Sequence, residues 1–322
     1  MNNFFKSIVL FTLCTVVVSC SKSGSSTEPL RDYTEQYTKD LSNIETFMQT
    51  HYMTVINNPG QTNDQDVTFT ELIAGDTHPS IWNQTQYPIQ TLYVEQNDIT
   101  YKLYYLQLRQ GSGPDSKSPC NVDKVLTSYR GEYIYTGVEG TENVVVSKQF
   151  EELINPQSFF NLTGVIKGWG EVFPKFKTGT YAGNPDGTLS YFNFGAGVMF
   201  IPSGLAYYST STGGIPAYSP LVFTFKLYEI QRNDQDADGI PSYQEDLNND
   251  GYVRVLDTGV ANPDDTDGDG VPDFLDNDDD GDYFTTASEI KNPVTGDPYP
   301  FDQIPVCPTD NKKVYLTTAC HP

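Results

Sequence analysis

Apolar and polar positions alternate through the middle of the chain with the period of two expected of half-buried strands. Thr100 to Leu108 alternates strongly, and Val122 to Tyr135 gives a second long strand. Shorter strand candidates lie at Val67-Thr68-Phe69, Thr91 to Val94, Val144-Val145-Val146, Met199-Phe200-Ile201 and Leu221 to Ile230. Phe160 and Leu162 share one face of a segment that runs into Val165-Ile166; a glycine follows, and Trp169 opens a short amphipathic piece ending at Phe176. Helical spacing of Leu41, Ile44, Phe47 and Met48 predicts a helix over Asp32 to Val55, with Pro29 just before it. Phe150 to Ile154 reads as a helical turn, Glu139 to Asn143 as a turn and Gly111 to Ser118 as a loop. Asn184-Pro185-Asp186-Gly187 reads as the turn of a hairpin. An antiparallel sheet wrapped on one short helix, an α+β fold, accounts for this pattern.

The 322 residues leave room for two or three domains. With 42 acidic and 19 basic side chains, the chain is ill suited to a nucleic-acid partner. Lys6 precedes an apolar run from Ile8 to Val18, too short to span a bilayer but suited to a signal-peptide core. It ends in Val17-Val18-Ser19-Cys20, which resembles a bacterial lipobox. Residues 1–19 would be removed, Cys20 would carry the lipid anchor, and Ser21 to Thr27 would be a flexible tether. The implied location is a bacterial envelope membrane, facing the periplasm or the cell surface. Three cysteines then remain in an oxidising compartment. Cys307 and Cys320 flank a short terminal loop and are the preferred disulfide, leaving Cys120 odd.

From Asn233 to Asp282 the chain carries 17 acids and one base, Arg254. Their spacing is that of calcium loops, which place oxygen ligands at positions 1, 3, 5, 7 (backbone), 9 and 12, with Gly at 6. Asp234, Asp236, Asp238, Gly239, Ile240 and Glu245 fit positions 1, 3, 5, 6, 7 and 12. Asp246, Asn248, Asp250, Gly251, Tyr252 and Asp257 fit again. Asp265, Asp267, Asp269, Gly270, Val271, Asp273 and Asp276 make a third loop. Asp278, Asp280, Asp282, Phe284 and Glu289 make a fourth, with Tyr283 where Gly should be, and Asp276-Asp278-Asp280-Gly281 is a competing register. The span Asp265 to Asp282 resembles thrombospondin type 3 repeats, and Asp278 to Glu289 resembles an EF-hand loop. Few apolar residues are at hand for a core, so bound Ca²⁺ would have to supply folding energy.

Five segments in order resemble the FKBP family of peptidyl-prolyl cis–trans isomerases: Val125 to Gly131 (V-x-x-x-Y-x-G), Phe160 to Trp169 (F-x-L-x-x-V-I-x-G-W), Ile201 to Tyr207, Gly214-Ile215-Pro216, and Leu221 to Leu227. The resemblance covers roughly Asp98 to Gln231. It implies proline-containing polypeptide clients and no cofactor for catalysis. It places Trp169 at the floor of a prolyl pocket, with Tyr129, Val165, Ile166 and Phe223 as walls and Ile215 at the rim. Tyr207 would aim its hydroxyl at a substrate carbonyl, and the Ile166 N–H would be a second donor. Residues Gly179 to Val198 would be an insertion. The chain departs from the family at Thr141 to Ser147, which holds neither the Phe that should form a wall nor the Asp that should anchor a polar contact. Tyr208 stands where the family has Gly. These departures keep two readings open: an isomerase acting on envelope proteins, and a non-catalytic peptide-binding scaffold on the same fold. The expected organisation is signal peptide 1–19, tether and helical segment 20–97, isomerase domain 98–231, calcium repeats 232–290 and a tail 291–322.

Overall fold

The computed structural model describes residues 30–321, so the expected signal peptide, lipidated Cys20 and tether lie outside the described residues. Helix α1 (Tyr33–Thr50) begins at Asp32, whose carboxylate accepts the Glu35 N–H at 3.0 Å. Such a cap satisfies a first-turn donor that has no partner inside the helix. The helix stops earlier than its apolar spacing suggested. His51 is extended and opens β1 (His51–Val55), which pairs antiparallel with β2 (Val67–Glu71). Tyr52, Thr54 and Val55 are residue types that suit a strand, and pairing with β2 decides the matter.

The main sheet is built from β3 (Ile89–Gln96), β4 (Ile99–Arg109), β5 (Lys124–Glu139), β6 (Glu142–Leu153), the short β7 (Phe160–Asn161), β10 (Gly195–Ile201) and β11 (Leu221–Gln231). Between β7 and β10 come α2 (Lys167–Val172) and a separate hairpin of β8 (Thr180–Gly183) with β9 (Leu189–Phe192). This hairpin lies within the segment Gly179 to Val198, with its turn at Asn184 to Gly187 as the spacing predicted. Strand order in the sheet is β3-β4-β10-β11-β5-β6, with β7 beside β5, and neighbours are antiparallel. Asn97 and Asp98 both take positive φ, 54° and 59°, the geometry of a tight hairpin turn joining β3 to β4. The domain boundary expected at Asp98 therefore falls inside a hairpin, and β3 belongs to the sheet. Phe150 to Leu153 is strand, not the helical turn expected, because β6 continues along β5 until Leu153 faces Tyr129.

Apolar side chains leave the sheet on both faces. Tyr101, Leu103, Met199, Ile201, Leu221, Phe223, Phe225 and Leu227 pack with Trp169, Val172 and Phe173 of the α2 segment. Tyr104, Leu106, Val198, Phe200 and Val222 pack on the other side with Ile44, Phe47 and Met48 of α1. Every residue of β10 is buried, since both of its faces are covered. The α1 segment is thus the second covering layer of the sheet rather than a neighbour beside it.

After β11 the backbone runs through loops and isolated helical turns, with one short α-helix, α3 (Thr286–Glu289), among them. Ile240 and Ile290 share a small apolar cluster with Ile304 and Tyr315, so the tail packs into the acidic region. Cys307 and Cys320 form the disulfide, with their Cα atoms 5.7 Å apart, and Cys120 is buried and free. Among the described residues no helix is long and apolar enough to cross a membrane.

Candidate functional site

An aromatic well forms where β5, β6 and β11 meet α2. Trp169 lies at its base, only 3% exposed. Edge-on around it stand Tyr129 at 5.1 Å between ring centroids, Phe223 and Phe173 at 5.4 Å, and Phe160 at 5.7 Å. Phe150 meets Phe223 at 5.7 Å, nearly perpendicular. Close approach here requires small neighbours. A Cβ on Gly131 would sit 2.4 Å from the Phe150 ring and 2.8 Å from Phe223. One on Gly168 would fall 2.7 Å from Ile201, which explains the glycine before the tryptophan. The Trp169 indole N–H is buried without a partner.

Ile166 precedes the first turn of α2 in an extended conformation, so its N–H lies outside the helical ladder. Val165 beside it packs at the edge of the apolar cluster. Tyr207 is 40% exposed and stands at the mouth. Burial, then the Glu151 carboxylate, raises the pKa of its hydroxyl above the usual tyrosine value. Burial first, and the Glu151 carboxylate lying against it second, also raises Tyr129. The structure brings together Tyr129, Val165, Ile166, Trp169, Tyr207 and Phe223 as expected. It does not put Ile215 at the rim. Ile215 is 3% exposed, because the turn at Gly213 and Gly214, with φ of 55° and 83°, folds it back into the cluster.

Two side chains were missed. Phe150 packs edge-on against Phe223, and Glu151 lies against the Tyr129 hydroxyl. Counting across the hairpin from the Glu139–Glu142 pair leads to this stretch but sets Phe150 opposite Gly131; a bulge at Gly131/Glu132 shifts the register and places Glu151 there. Phe160 was noticed only as a strand residue.

Tyr208 has φ of 48°, a left-handed conformation that favours glycine. Its ring stacks on Tyr33 at 4.3 Å and meets Tyr218 edge-on at 5.1 Å, and its hydroxyl donates to the Arg31 carbonyl at 2.5 Å. The start of α1 therefore holds the loop that presents Tyr207. Asp40 of α1 reaches the same loop, accepting the Ser203 N–H at 2.7 Å. Burial pushes this carboxyl up to about 6.

The acidic region touches α2 directly. Arg254 grips the Glu171 carboxylate with two bonds of 2.8 Å, and the Tyr252 hydroxyl donates to the Glu171 carbonyl at 2.7 Å. Asn121 donates to the Val253 carbonyl at 2.8 Å and accepts the Val253 N–H at 2.9 Å.

The four acidic loops share one backbone geometry. Positions 4 and 6 are left-handed in each: Ala237 and Gly239, Asn249 and Gly251, Gly268 and Gly270, Gly281 and Tyr283. In each, the N–H of position 6 donates to the carboxylate of position 1, at 3.2, 2.8, 3.0 and 3.0 Å. Tyr283 adopts φ of 77° in place of a glycine, so the fourth loop follows the Asp278-Asp280-Asp282 register. Carboxylate oxygens converge within 4.8 Å of one another at Asp234-Asp236-Asp238, at Asp265-Asp267-Asp269 and at Asp278-Asp280-Asp282. Asp250 N–H bonds to Asp246 and Asn248 draw the second loop together.

Two loops depart from expectation, the second at position 12 and the third at position 9. Glu289 faces Asp280, Asp282 and Asp278, and Asp276 lies beside Asp269, as the spacing implied. Asp257 instead stands exposed in its own turn, and among the described residues it joins no acidic group. Asp264, outside the register, takes the position beside loop 2, where it is buried and accepts the Leu247 N–H at 2.9 Å. Asp273 turns inward, and both its oxygens are taken by Thr266, through its N–H and its hydroxyl, at 2.7 Å each.

Buried carboxylate oxygens without a partner concentrate here: both of Glu245, Asp279 and Glu289, and one each of Asp236, Asp238, Asp278 and Asp280. Native chains leave few such groups unsatisfied. Burial, then neighbouring carboxylates, pushes Glu245 up to about 10, Asp279 to about 11 and Glu289 to about 8. An all-oxygen, carboxylate-rich donor set with orphaned atoms fits a hard divalent cation such as Ca²⁺.

A family model described as "BamM C-terminal" matches residues 235–314. Among solved structures, the chain is similar to a peptidyl-prolyl cis–trans isomerase from Pseudomonas syringae pv. tomato DC3000. Identity is 24% and TM-score 0.29, over 40% of this chain and 76% of that one. It is also similar to FkpA from Escherichia coli, at 26% identity and TM-score 0.26, over 40% of this chain and 48% of that one. No curated protein matches.

Proposed function

We propose that the chain is an FKBP-type peptidyl-prolyl cis–trans isomerase, a folding catalyst for X-Pro bonds of cell-envelope proteins. The aromatic well over Trp169, with Tyr207 and Glu151 at its mouth, is the observation that carries this reading. Rotation about an X-Pro bond faces a barrier of about 18–20 kcal/mol, because resonance holds the amide planar. A catalyst needs no nucleophile or cofactor. It needs an apolar wall against which the twisted, less polar amide is favoured, and a donor for the carbonyl as it turns. Trp169, Tyr129, Phe150 and Phe223 supply the wall; the Tyr207 hydroxyl and the Ile166 N–H are the donors. Glu151 orients the Tyr129 hydroxyl.

The non-catalytic scaffold reading rested on the empty positions at Thr141 to Ser147. Phe150 and Glu151 take over those roles, which favours catalysis. Cys20 anchors the chain to an envelope membrane by lipid, and Ca²⁺ holds the four acidic loops without entering the chemistry. The proline-isomerisation rate of the chain tests this. Tyr207→Phe should lower turnover roughly 2–10-fold, the worth of one hydrogen bond, with the fold unchanged. No activity in the wild type would leave the scaffold reading.

A further inference from the structure

The geometry points to a fifth cation site that the loop spacing does not reveal, in which Asp238, Glu245 and Asp279 hold a divalent cation in tandem with the ion of the first loop. The inference rests on the calcium reading of that loop. Oxygen atoms of these three side chains lie within 4.8 Å of one another, and all three side chains are buried: 3% exposed for Asp238 and 1% each for Glu245 and Asp279. Asp279 occupies no ligand position in any of the four loops. It comes from the fourth loop, beyond the turn that carries Asp273, and meets residues of the first.

Two ligands of one Ca²⁺ can be no farther apart than twice the metal–oxygen distance, about 4.8 Å for a typical 2.4 Å bond. The first-loop group, Asp234-Asp236-Asp238, and the group containing Asp279 each satisfy that limit, and they share only Asp238. No single group spans both sets, so in the proposed arrangement Asp238 bridges two ions.

A second observation is independent of the acids. Tyr315, from the tail closed by Cys307–Cys320, is 1% exposed, and its hydroxyl is buried with no partner. The charged groups acting on that hydroxyl are Asp279 first, then Glu245, Asp273 and Asp238. A neutral donor and oxygen ligand is therefore aimed into the acidic cluster from a third segment. Both oxygens of Glu245 and of Asp279 and one of Asp238 also lack partners. Asp273 does not compete, because Thr266 occupies it. The ion would join the first loop, the fourth loop and the stapled tail, segments distant in sequence that also meet in the small cluster around Ile240, Ile290 and Ile304 and in the His321–Asp282 pair at 2.6 Å.

Asp279→Asn tests this in the full chain, because it removes a charge while preserving shape, and its side-chain oxygens have no hydrogen bond to lose. Bound calcium is counted by elemental analysis after equilibration with millimolar Ca²⁺, alongside thermal melts in Ca²⁺ and in chelator. Wild type should bind one ion more than Asp279→Asn. The variant should melt lower than wild type in Ca²⁺ and higher in chelator, since without an ion the substitution only relieves repulsion. Tb³⁺ in place of Ca²⁺ gives a second readout: Tyr315→Phe should lose part of the tyrosine-sensitised emission and keep the ion count. An unchanged count in Asp279→Asn, or Tb³⁺ emission indifferent to Tyr315→Phe, overturns the fifth site. Binding of no calcium at all by wild type would instead overturn the calcium reading of the loops.

Discussion

The sheet domain and the acidic module solve the same problem with opposite materials. In the sheet, apolar side chains cover both faces, and β10 is buried along its whole length. In the module, the central side chains are carboxylates and the apolar clusters are small: Ile240, Ile290, Ile304 and Tyr315 in one, and Val253 and Phe274 packed against Cys120 and Val122 of the sheet domain in another. Burial of hydrocarbon stabilises by about 25 cal/mol per Å² whatever the solution holds. Burial of carboxylates without partners costs about 1–3 kcal/mol or more for each group, and reverses only when a cation arrives. Two parts of one chain therefore answer differently to the same change of medium. The bonds from Arg254 and Tyr252 to Glu171 are where one response can reach the other, since Tyr252 is position 7 of the second loop and Glu171 lies two residues from Trp169.

The largest single-residue effect should come from Trp169→Ala. Removing a buried aromatic from the base of the well should cost the sheet domain about 3–5 kcal/mol. Urea unfolding followed by fluorescence of the remaining tryptophan, Trp82, measures it, and the module's calcium affinity should not change. Next, Arg254→Ala leaves a buried Glu171 carboxylate without its cation, a loss of about 1.5–3 kcal/mol. Its mark is a softened α2, seen as faster hydrogen exchange at Trp169 and Val172. An unaltered rate there would make the seam a passive contact. Asp267→Ala and Asp264→Ala should each weaken calcium binding, the first at loop 3 and the second at loop 2, because Asp264 caps the Leu247 and Asn248 amides. A comparison of the two in a calcium titration separates the loops.

The smallest effect is confined to the sheet domain. Asp40 has its folded pKa raised to about 6 by burial, above the ordinary carboxylate value of 3.8. The native state thus holds the proton where the unfolded state has released it. Its contribution is fully present below about pH 4 and is lost as pH rises through 6. Asp40→Asn should flatten the change in unfolding free energy between pH 4 and 7, measured by urea titration in the same tryptophan signal.

Much of this was legible from residue spacing. The long alternations at Thr100–Leu108 and Val122–Tyr135 are strands, the Asn184–Gly187 turn closes its hairpin, and the four loops share one geometry. What failed was set by partners distant in sequence. His51–Val55 carries helical spacing but pairs with β2. Phe150 and Glu151 reach the well only through the register of a long hairpin, which a local motif does not show. Asp264 rather than Asp257 lies against loop 2, and Asp279 meets Asp238 and Glu245 of the first loop, because the chain folds back on itself between repeats. Spacing within twelve residues cannot report such a return.

Amide hydrogen exchange of the full chain in Ca²⁺ and in excess chelator tests the contrast most directly. Chelation should abolish protection across residues 233–290 while leaving β4, β10 and β11 protected as before, with an intermediate change at α2 where Glu171 is gripped. Equal protection of the acidic region in both media, or simultaneous loss of protection in β10 and β11, would contradict the account.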